Sequence, residues 1–261
     1  MAGISAVIIT YNEEKSIERC LSSLGSVPDE IVVVDSFSTD ATAEICRKFG
    51  ARVVEHEFTG YMDQRNYADT LAANDFILMI DADEALSPEL HDSLVSIKDN
   101  LTCDGYIFNR LGNFCGQWIR HSAWHPDRQL RLFNRKMGKW GPINVHETFH
   151  PVPGSKTERV RGDLLHWPVS SVADHAKTIE SYAAIAAREY FKKGKKVSFF
   201  TPVLHQAWRF FMTYFVRLGF LDGRNGYIIC CMSARSSYLK YSGLRKLWLN
   251  EGRNKRTINE I

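Results

Sequence analysis

The first third of the chain alternates two patterns. ISAVIIT (4–10), EIVVVD (30–35), ARVVE (51–55) and FILMI (76–80) are short, largely β-branched runs of strand length. The segments between them carry helical spacing, as in Ile17, Cys20, Leu21 and Leu24, or in Asp63-Gln64-Arg65-Asn66-Tyr67-Ala68. Parallel neighbours cannot be joined by a tight turn, so strands interleaved with helices pair through crossovers. The pattern therefore predicts an α/β fold: a Rossmann-like, mainly parallel sheet with helices on both faces. In open sheets of this kind ligands bind beyond the carboxyl ends of the strands.

Those ends are polar. The first strand runs into Tyr11-Asn12-Glu13-Glu14, where Asn12 reads as the N-cap of the first helix with both glutamates in its first turn. The second strand ends on Asp35 and leads into Ser36-Phe37-Ser38-Thr39-Asp40. The fourth leads into Asp81-Ala82-Asp83-Glu84, before Ser87-Pro88-Glu89 opens another helix. In an extended segment Asp81 and Asp83, two residues apart, point to one side. Two carboxylates on one side can share a hard divalent cation, Mg²⁺ or Mn²⁺, with water and substrate phosphates completing its shell.

TYNEE after the first strand, VVVDSFSTDAT after the second, a QRN helix and then MIDADE resemble the nucleotide-binding half of the family 2 glycosyltransferases, which have the GT-A fold. The likeness is close over about the first hundred residues. It implies that Thr10, Tyr11, Glu13 and Asp35 contact the nucleoside of a nucleotide-sugar donor, UDP-linked, and that Arg65 contacts the diphosphate or base. Asp81 and Asp83 become the ribose and metal contacts. Residues 1–100 are then the donor-binding half of the GT-A domain and residues 101–175 the acceptor-binding half.

In that second half GYIFNR (105–110) and QLRLFNR (129–135) alternate like strands, and Trp118, Trp124, His125 and Asp127 lie in a loop-rich stretch between them. Aromatics amid polar residues suit stacking on sugar faces as well as core packing. Asn144-Val145-His146-Glu147 resembles the VHE segment of lipopolysaccharide-core glucosyltransferase-like members, where the family places its catalytic carboxylate. The resemblance implies Glu147 as general base, with His146 as the competing candidate, because an inverting transfer needs one base at the attacking hydroxyl. His166, after an apolar pair, is the candidate for the late histidine that related enzymes bring to the metal or diphosphate.

Residues 176–261 read as a basic, amphipathic helical region. Residues 1–185 carry 18 basic against 26 acidic side chains and residues 186–261 carry 15 against 4, so the net +3 divides into −8 and +11. The aromatic run from Phe199 to Leu221 is interrupted by Arg209 and Arg217, well short of the ~18 charge-free residues of a spanning helix. Its composition suits a helix lying on an anionic membrane surface, or one packed on the catalytic domain. Asp222-Gly223-Arg224-Asn225-Gly226 separates it from a second apolar helix expected over Tyr227–Tyr241. The layout F-x-x-x-Y…GF-x-DG-x-x-G extends the resemblance to core-sugar transferases.

The start, MAGISAVIITYNEE, has no basic n-region and does not read as a signal peptide. Six cysteines without CxxC spacing read as reduced thiols. The expectation is a cytoplasmic enzyme, peripheral at the inner face of a bacterial inner membrane, acting on a lipid-linked saccharide, with no nucleic-acid partner. Two other classes compete. A sugar-1-phosphate nucleotidyltransferase would open with a glycine-rich phosphate loop, which TYNEEKS lacks. A nucleic-acid-binding protein would account for the basic tail but has no use for Asp35 or DAD.

Overall fold

The computed structural model describes residues 3–143, 146–169 and 171–259, with side chains described except at 142–148 and from 252 onward. Two compact units divide the chain: Met1–Leu111 with Asp127–Trp167, and Gly112–Pro126 with Pro168–Ile261.

In the first unit β1 (Ile4–Thr10) lies between β2 (Glu30–Asp35) and β4 (Phe76–Asp81), parallel to both, and β2 carries β3 (Arg52–Glu55) in parallel on its far side. The crossovers are α1 (Ile17–Leu24), α2 (Thr42–Lys48) and α3 (Tyr61–Leu71). Each strand falls where its apolar run predicts. The register pairs Thr10 with Asp35 and Ile9 with Asp81, so both strand-ending carboxylates emerge within one strand spacing of Thr10.

Beyond β4 the pairing becomes antiparallel. β4 meets β8 (Asp127–Asn134), β8 meets β6 (Gly105–Phe114), which also pairs with the short β7 (Gln117–Trp118), β11 (Thr157–Val169) follows, and β5 (Glu84–Leu86) pairs antiparallel with β11 at the edge. The sheet is thus parallel over its first four strands and mixed overall. Helices cover both faces. Ile17, Leu21 and Leu24 of α1, Cys46 of α2, and Leu90 and Leu94 of α4 (Pro88–Lys98) pack on Ile4, Ile8, Leu78 and Ile80. On the other face Ala68 of α3, Phe133 of β8, and the ribbon of β9 (Gly138–Ile143) and β10 (His146–Pro151) pack on Val7, Ile77 and Met79, with Phe133 and Phe149 stacked at 3.8 Å. Ser87 caps α4 as its sequence predicts, its hydroxyl accepting from the Leu90 amide at 3.2 Å.

Asn12 does not cap α1, which starts five residues later, after Ser16. It sits instead at φ 54, in the left-handed region that asparagine tolerates better than most residues. Its side-chain oxygen accepts from the Thr39 amide at 2.8 Å and its own amide donates to the Ser38 hydroxyl at 2.8 Å, tying the loop after β1 to the loop after β2.

One buried acid on α3 gives the unit a pH dependence. Asp69 accepts from the Trp140 indole at 3.0 Å, and burial, opposed by that bond and by Arg135, pushes its carboxyl up to about 7. The folded protein therefore holds a proton that the unfolded chain releases near pH 4, and stability falls as pH rises through that window. Asp69→Asn keeps an acceptor for Trp140 and removes the titration. Its Tm should exceed the parent's by several degrees at pH 8 and converge with it toward pH 4; equal melting curves at pH 8 would refute the assignment.

The second unit is helical. α5 (Val172–Lys192), α6 (Thr201–Phe211) and α7 (Gly223–Asn259) pack around Ala187, Tyr241 and Leu244, and Gly243 lets α7 approach α5 to where a Cβ would lie 3.2 Å from the Ala187 Cβ. α7 extends well past the expected Tyr227–Tyr241. Between α6 and α7 lie a π-helical turn (Met212–Val216), Leu218 at φ 55, and a 3₁₀ turn (Gly219–Asp222). No helix among the described residues is long and apolar enough to cross a membrane. All six cysteines are free thiols.

Candidate active site

At the end of β4 the chain does not remain extended. Ala82 and Asp83 form a turn and Glu84 begins β5, so the expected side-by-side placement of Asp81 and Asp83 is replaced by two separate environments. Asp81 is held by two arginines: Arg65 Nη2 lies 2.7 Å from Oδ1 and Arg131 Nη2 lies 2.7 Å from Oδ2. The same Arg131 nitrogen donates to Glu84 Oε1 at 2.6 Å. Arg110 reaches Glu84 at 3.3 Å and donates through Nε to Asp127 at 2.8 Å. Glu84 Oε2 in turn accepts from the Asp81 amide at 3.0 Å. Three carboxyl groups and three guanidinium groups thus close on one another.

Burial alone would neutralise these acids, and the arginines decide otherwise for one of them. Against its burial, Arg131 and Arg65 hold Asp81 well below the usual carboxylate range. Glu84, fully buried, is pushed up by desolvation and by the Asp81 charge, although Arg131 and Arg110 oppose this. Asp81 is therefore an anchored anion with both oxygens in use.

Asp83 stands outside this network. Its Oδ2 lies 3.3 Å from His166 Nε2, a placement fixed by the pairing of His166 with Glu84 across β11 and β5. Its carbonyl accepts from the Trp167 amide at 3.0 Å, and the Arg19 guanidinium lies 3.6 Å over the Trp167 ring. Glu13 belongs to the same locality: burial, and next the charge of Asp83, push its carboxyl up. Among the described residues no group of three His, Cys, Asp or Glu side chains is set to enclose an ion. Asp83 and His166 do fit a cation that keeps most of its shell for water and substrate oxygens, as Mg²⁺ and Mn²⁺ do when phosphates are present.

Along the same edge, Asp35 is buried and accepts from the Ser38 amide at 2.8 Å, with the Ser38 hydroxyl on its other oxygen. The buried Thr10 hydroxyl beside it finds no partner among the described residues. A buried polar atom of this kind is costly unless something binds it. Tyr11 is 59% exposed next to it, an aromatic face open to a planar ligand.

The QRN helix has three separate tasks. Gln64 holds His56 Nδ1 at 2.9 Å and the Ser36 hydroxyl at 3.2 Å. Arg65 spans from Asp81 to the face of Trp140, 4.7 Å from its ring centre. Asn66 pairs with both backbone groups of Trp140, at 3.2 and 3.1 Å, and so pins β9 and the β10 strand that carries Glu147. The backbone of His146 and Glu147 pairs with Ile143 and Pro142. The side chains of both residues lie outside the described ones, as do Asn144 and Val145.

Thr10, Tyr11, Asp35, Glu13, Asp83 and His166 are thus gathered at the carboxyl edge of the sheet, and Arg65 is engaged with Asp81. Arg131, Arg110 and Glu84 were not singled out by sequence reasoning. The signal was an arginine at the centre of QLRLF, since a charge inside an apolar strand needs a buried counter-charge, and DADE supplies more acids than one cation requires.

The family model described as Glycosyl transferase family 2 matches residues 5–155. An uncharacterized glycosyltransferase of Rickettsia felis is 31% identical over 260 residues, covering 94% of this chain and 90% of the relative. The lipopolysaccharide core biosynthesis glycosyltransferase LpsC of Rhizobium meliloti is 27% identical over 255 residues, covering 92% and 93%. The crystal structure of S. aureus TarS 1-349 in complex with UDP-GlcNAc is 14% identical, with 95% of this chain and 92% of that chain covered at a TM-score of 0.46. By the extent of the family match and by its relatives, this chain belongs to glycosyltransferase family 2.

Proposed function

We propose that this glycosyltransferase moves a sugar, with inversion, from a UDP-linked donor to a saccharide carried on lipid, such as a lipopolysaccharide core, and that it uses Mg²⁺ or Mn²⁺. The observation that carries the reading is the division of labour in DADE. Asp81 and Glu84 are consumed by arginines, while Asp83 turns its carboxylate to His166 at the ligand-binding edge of the sheet. A cation held there would neutralise the diphosphate as it departs. Thr10, Tyr11, Glu13 and Asp35 are the residues we assign to the nucleoside. The resemblance of the whole chain to LpsC supports a core saccharide as acceptor.

The acceptor's lipid gives the second unit a role. Phe199, Leu204, Trp208, Phe215 and Leu221 are each about half exposed or more, and they share a segment with Arg209, Arg217 and the lysines at 192, 193, 195 and 196. Apolar side chains flanked by cations suit peripheral attachment to an anionic surface, at the inner face of a bacterial inner membrane.

Differential scanning fluorimetry against a panel of nucleotide sugars with Mn²⁺ tests the donor assignment. A UDP-sugar should raise Tm by several degrees, less so with EDTA, because a ligand that binds only the folded state stabilises it. No shift with any nucleotide sugar would refute it. For the base, Glu147→Gln should retain that Tm shift and lose at least a hundredfold in transfer, because the amide keeps the shape and cannot take the proton. Normal transfer by Glu147→Gln, with loss in His146→Ala, would reverse the two roles.

A further inference from the structure

Arg19 carries no role in the site as described, yet it stands close to its acidic turn. α1 directs Ile17, Cys20, Leu21 and Leu24 into the core, which leaves Arg19, in the first turn of the helix, exposed near the carboxyl edge of the sheet. Its guanidinium carbon lies 3.6 Å from the centre of the Trp167 ring. Trp167 is itself fixed beside Asp83, because its amide donates to the Asp83 carbonyl at 3.0 Å and its neighbour His166 pairs with Glu84 across β11 and β5. Glu13 senses both charges. Burial pushes its carboxyl up, the charge of Asp83 adds to that, and the charge of Arg19 opposes it, so all three groups share one locality.

The donors of this guanidinium are uncommitted. Among the described residues no carboxylate lies within ion-pair distance of Arg19. At 3.6 Å an edge-on N–H would overlap the indole, so the guanidinium lies along the ring and its N–H groups point sideways. The other arginines of the acidic turn are engaged: Arg65 and Arg131 with Asp81, and Arg110 with Glu84 and Asp127.

Charge decides what such a fork is for. A sugar nucleoside diphosphate brings a dianion to an edge that already carries Asp83, and one divalent cation between them leaves an excess of negative charge. His166 does not offset it, since an imidazole that ligates a metal is neutral. As the sugar leaves, the diphosphate gains a further charge. The edge therefore calls for a second cation beside Asp83, one that no carboxylate has neutralised. Arg19 is such a cation, and a planar guanidinium matches phosphoryl oxygens in geometry as well as in sign. Stacking on Trp167 also orients it in advance, which lowers the cost of ordering the side chain when ligand binds. A purely structural pair would account for the stacking alone, and would leave the charge of the bound donor unmet.

We infer that Arg19 binds the diphosphate of the nucleotide donor, its guanidinium on the phosphoryl oxygens and the Trp167 ring as its platform. The inference rests on the UDP-donor reading for its ligand, and on the geometry of the first unit for its residue. Isothermal titration calorimetry with Mg²⁺ present tests it on the parent, Arg19→Gln and Arg19→Lys, with UDP titrated directly and uridine read by its displacement of UDP. Arg19 is exposed and outside the core, so both variants should keep the parent's circular dichroism. Arg19→Gln should weaken UDP binding about tenfold, the scale of one charge-assisted contact, and leave uridine at the parent's affinity. Arg19→Lys keeps the charge without the fork and should fall between the two. A parent that binds UDP no better than Arg19→Gln does would leave the donor reading standing and overturn this inference alone. An equal loss for UDP and uridine would also overturn it, because Arg19 would then support the nucleoside site without touching the diphosphate. A parent that binds neither ligand sinks the donor reading, and this inference with it.

Discussion

Asp83→Asn should lower sugar transfer by at least a hundredfold while leaving Tm within a few degrees of the parent. The side chain is partly exposed and makes no contact with the buried arginines, so its charge is not part of what holds the sheet together. The link of this segment to the Trp167 amide runs through the Asp83 carbonyl, which the substitution keeps. What Asn removes is a negative charge facing His166, and with it the stronger of the two donors we assign to the cation. Loss of one electrostatic contact to a developing anion costs on the order of 10²–10³ in rate. His166→Ala should lose less, on the order of tenfold, and part of that loss should return at raised Mn²⁺, because the deficit is in metal affinity. Undiminished transfer by Asp83→Asn, or by the parent in excess EDTA, would rule out the metal assignment.

The positions of the four parallel strands were legible in the sequence because each apolar run is short, β-branched and bounded by polar residues. Asp35 was legible for the same reason: it is the first polar residue after a buried strand. What the sequence did not convey was the path of the chain after Asp81. DADE has no glycine or proline to announce a turn, and an alternation argument assumes an extended backbone that Ala82 and Asp83 abandon. Glu84 could not be read as buried from its neighbours, since its burial depends on Arg131 and Arg110, which lie 47 and 26 residues away. Asn12 failed for a local reason. An asparagine before two glutamates satisfies the capping pattern, and the left-handed turn it adopts satisfies asparagine equally well. In the C-terminal region the arginine interruptions agree with the finding that no helix among the described residues is long and apolar enough to cross a membrane, while the sharp break at Leu218 could not be foreseen, because leucine rarely adopts a positive φ.

The largest expected loss of stability follows from Arg131→Met. Methionine fills much of the same volume, so the effect isolates the charge. Without the guanidinium, Glu84, fully buried, keeps only the long contact to Arg110 and the Asp81 amide, and Asp81, partly exposed, keeps only the Arg65 ion pair. Breaking a buried pair from one side costs about 3–5 kcal/mol, because the remaining charge stays desolvated. At a few degrees per kcal/mol for a chain of this size, Tm at pH 8 should drop by roughly 10 °C. The pH dependence separates this cause from a packing defect. Burial already pushes the Glu84 carboxyl up, and removing Arg131 raises it further, so the variant's folded state takes up a proton at higher pH than the parent's. A raised carboxyl is stabilising relative to its ionised form below its folded value, so the deficit should shrink as pH falls from 8 toward 5. A packing defect would leave the deficit constant across that range. Arg131→Lys should fall between the two, since an ammonium can neutralise the pair from one nitrogen, as Nη2 does, but is more strongly hydrated than a guanidinium and so costs more to bury. A deficit for Arg131→Met that is equal at pH 5 and pH 8 would show that the arginine acts through its shape, and that the carboxylates at the end of β4 do not depend on it for their charge.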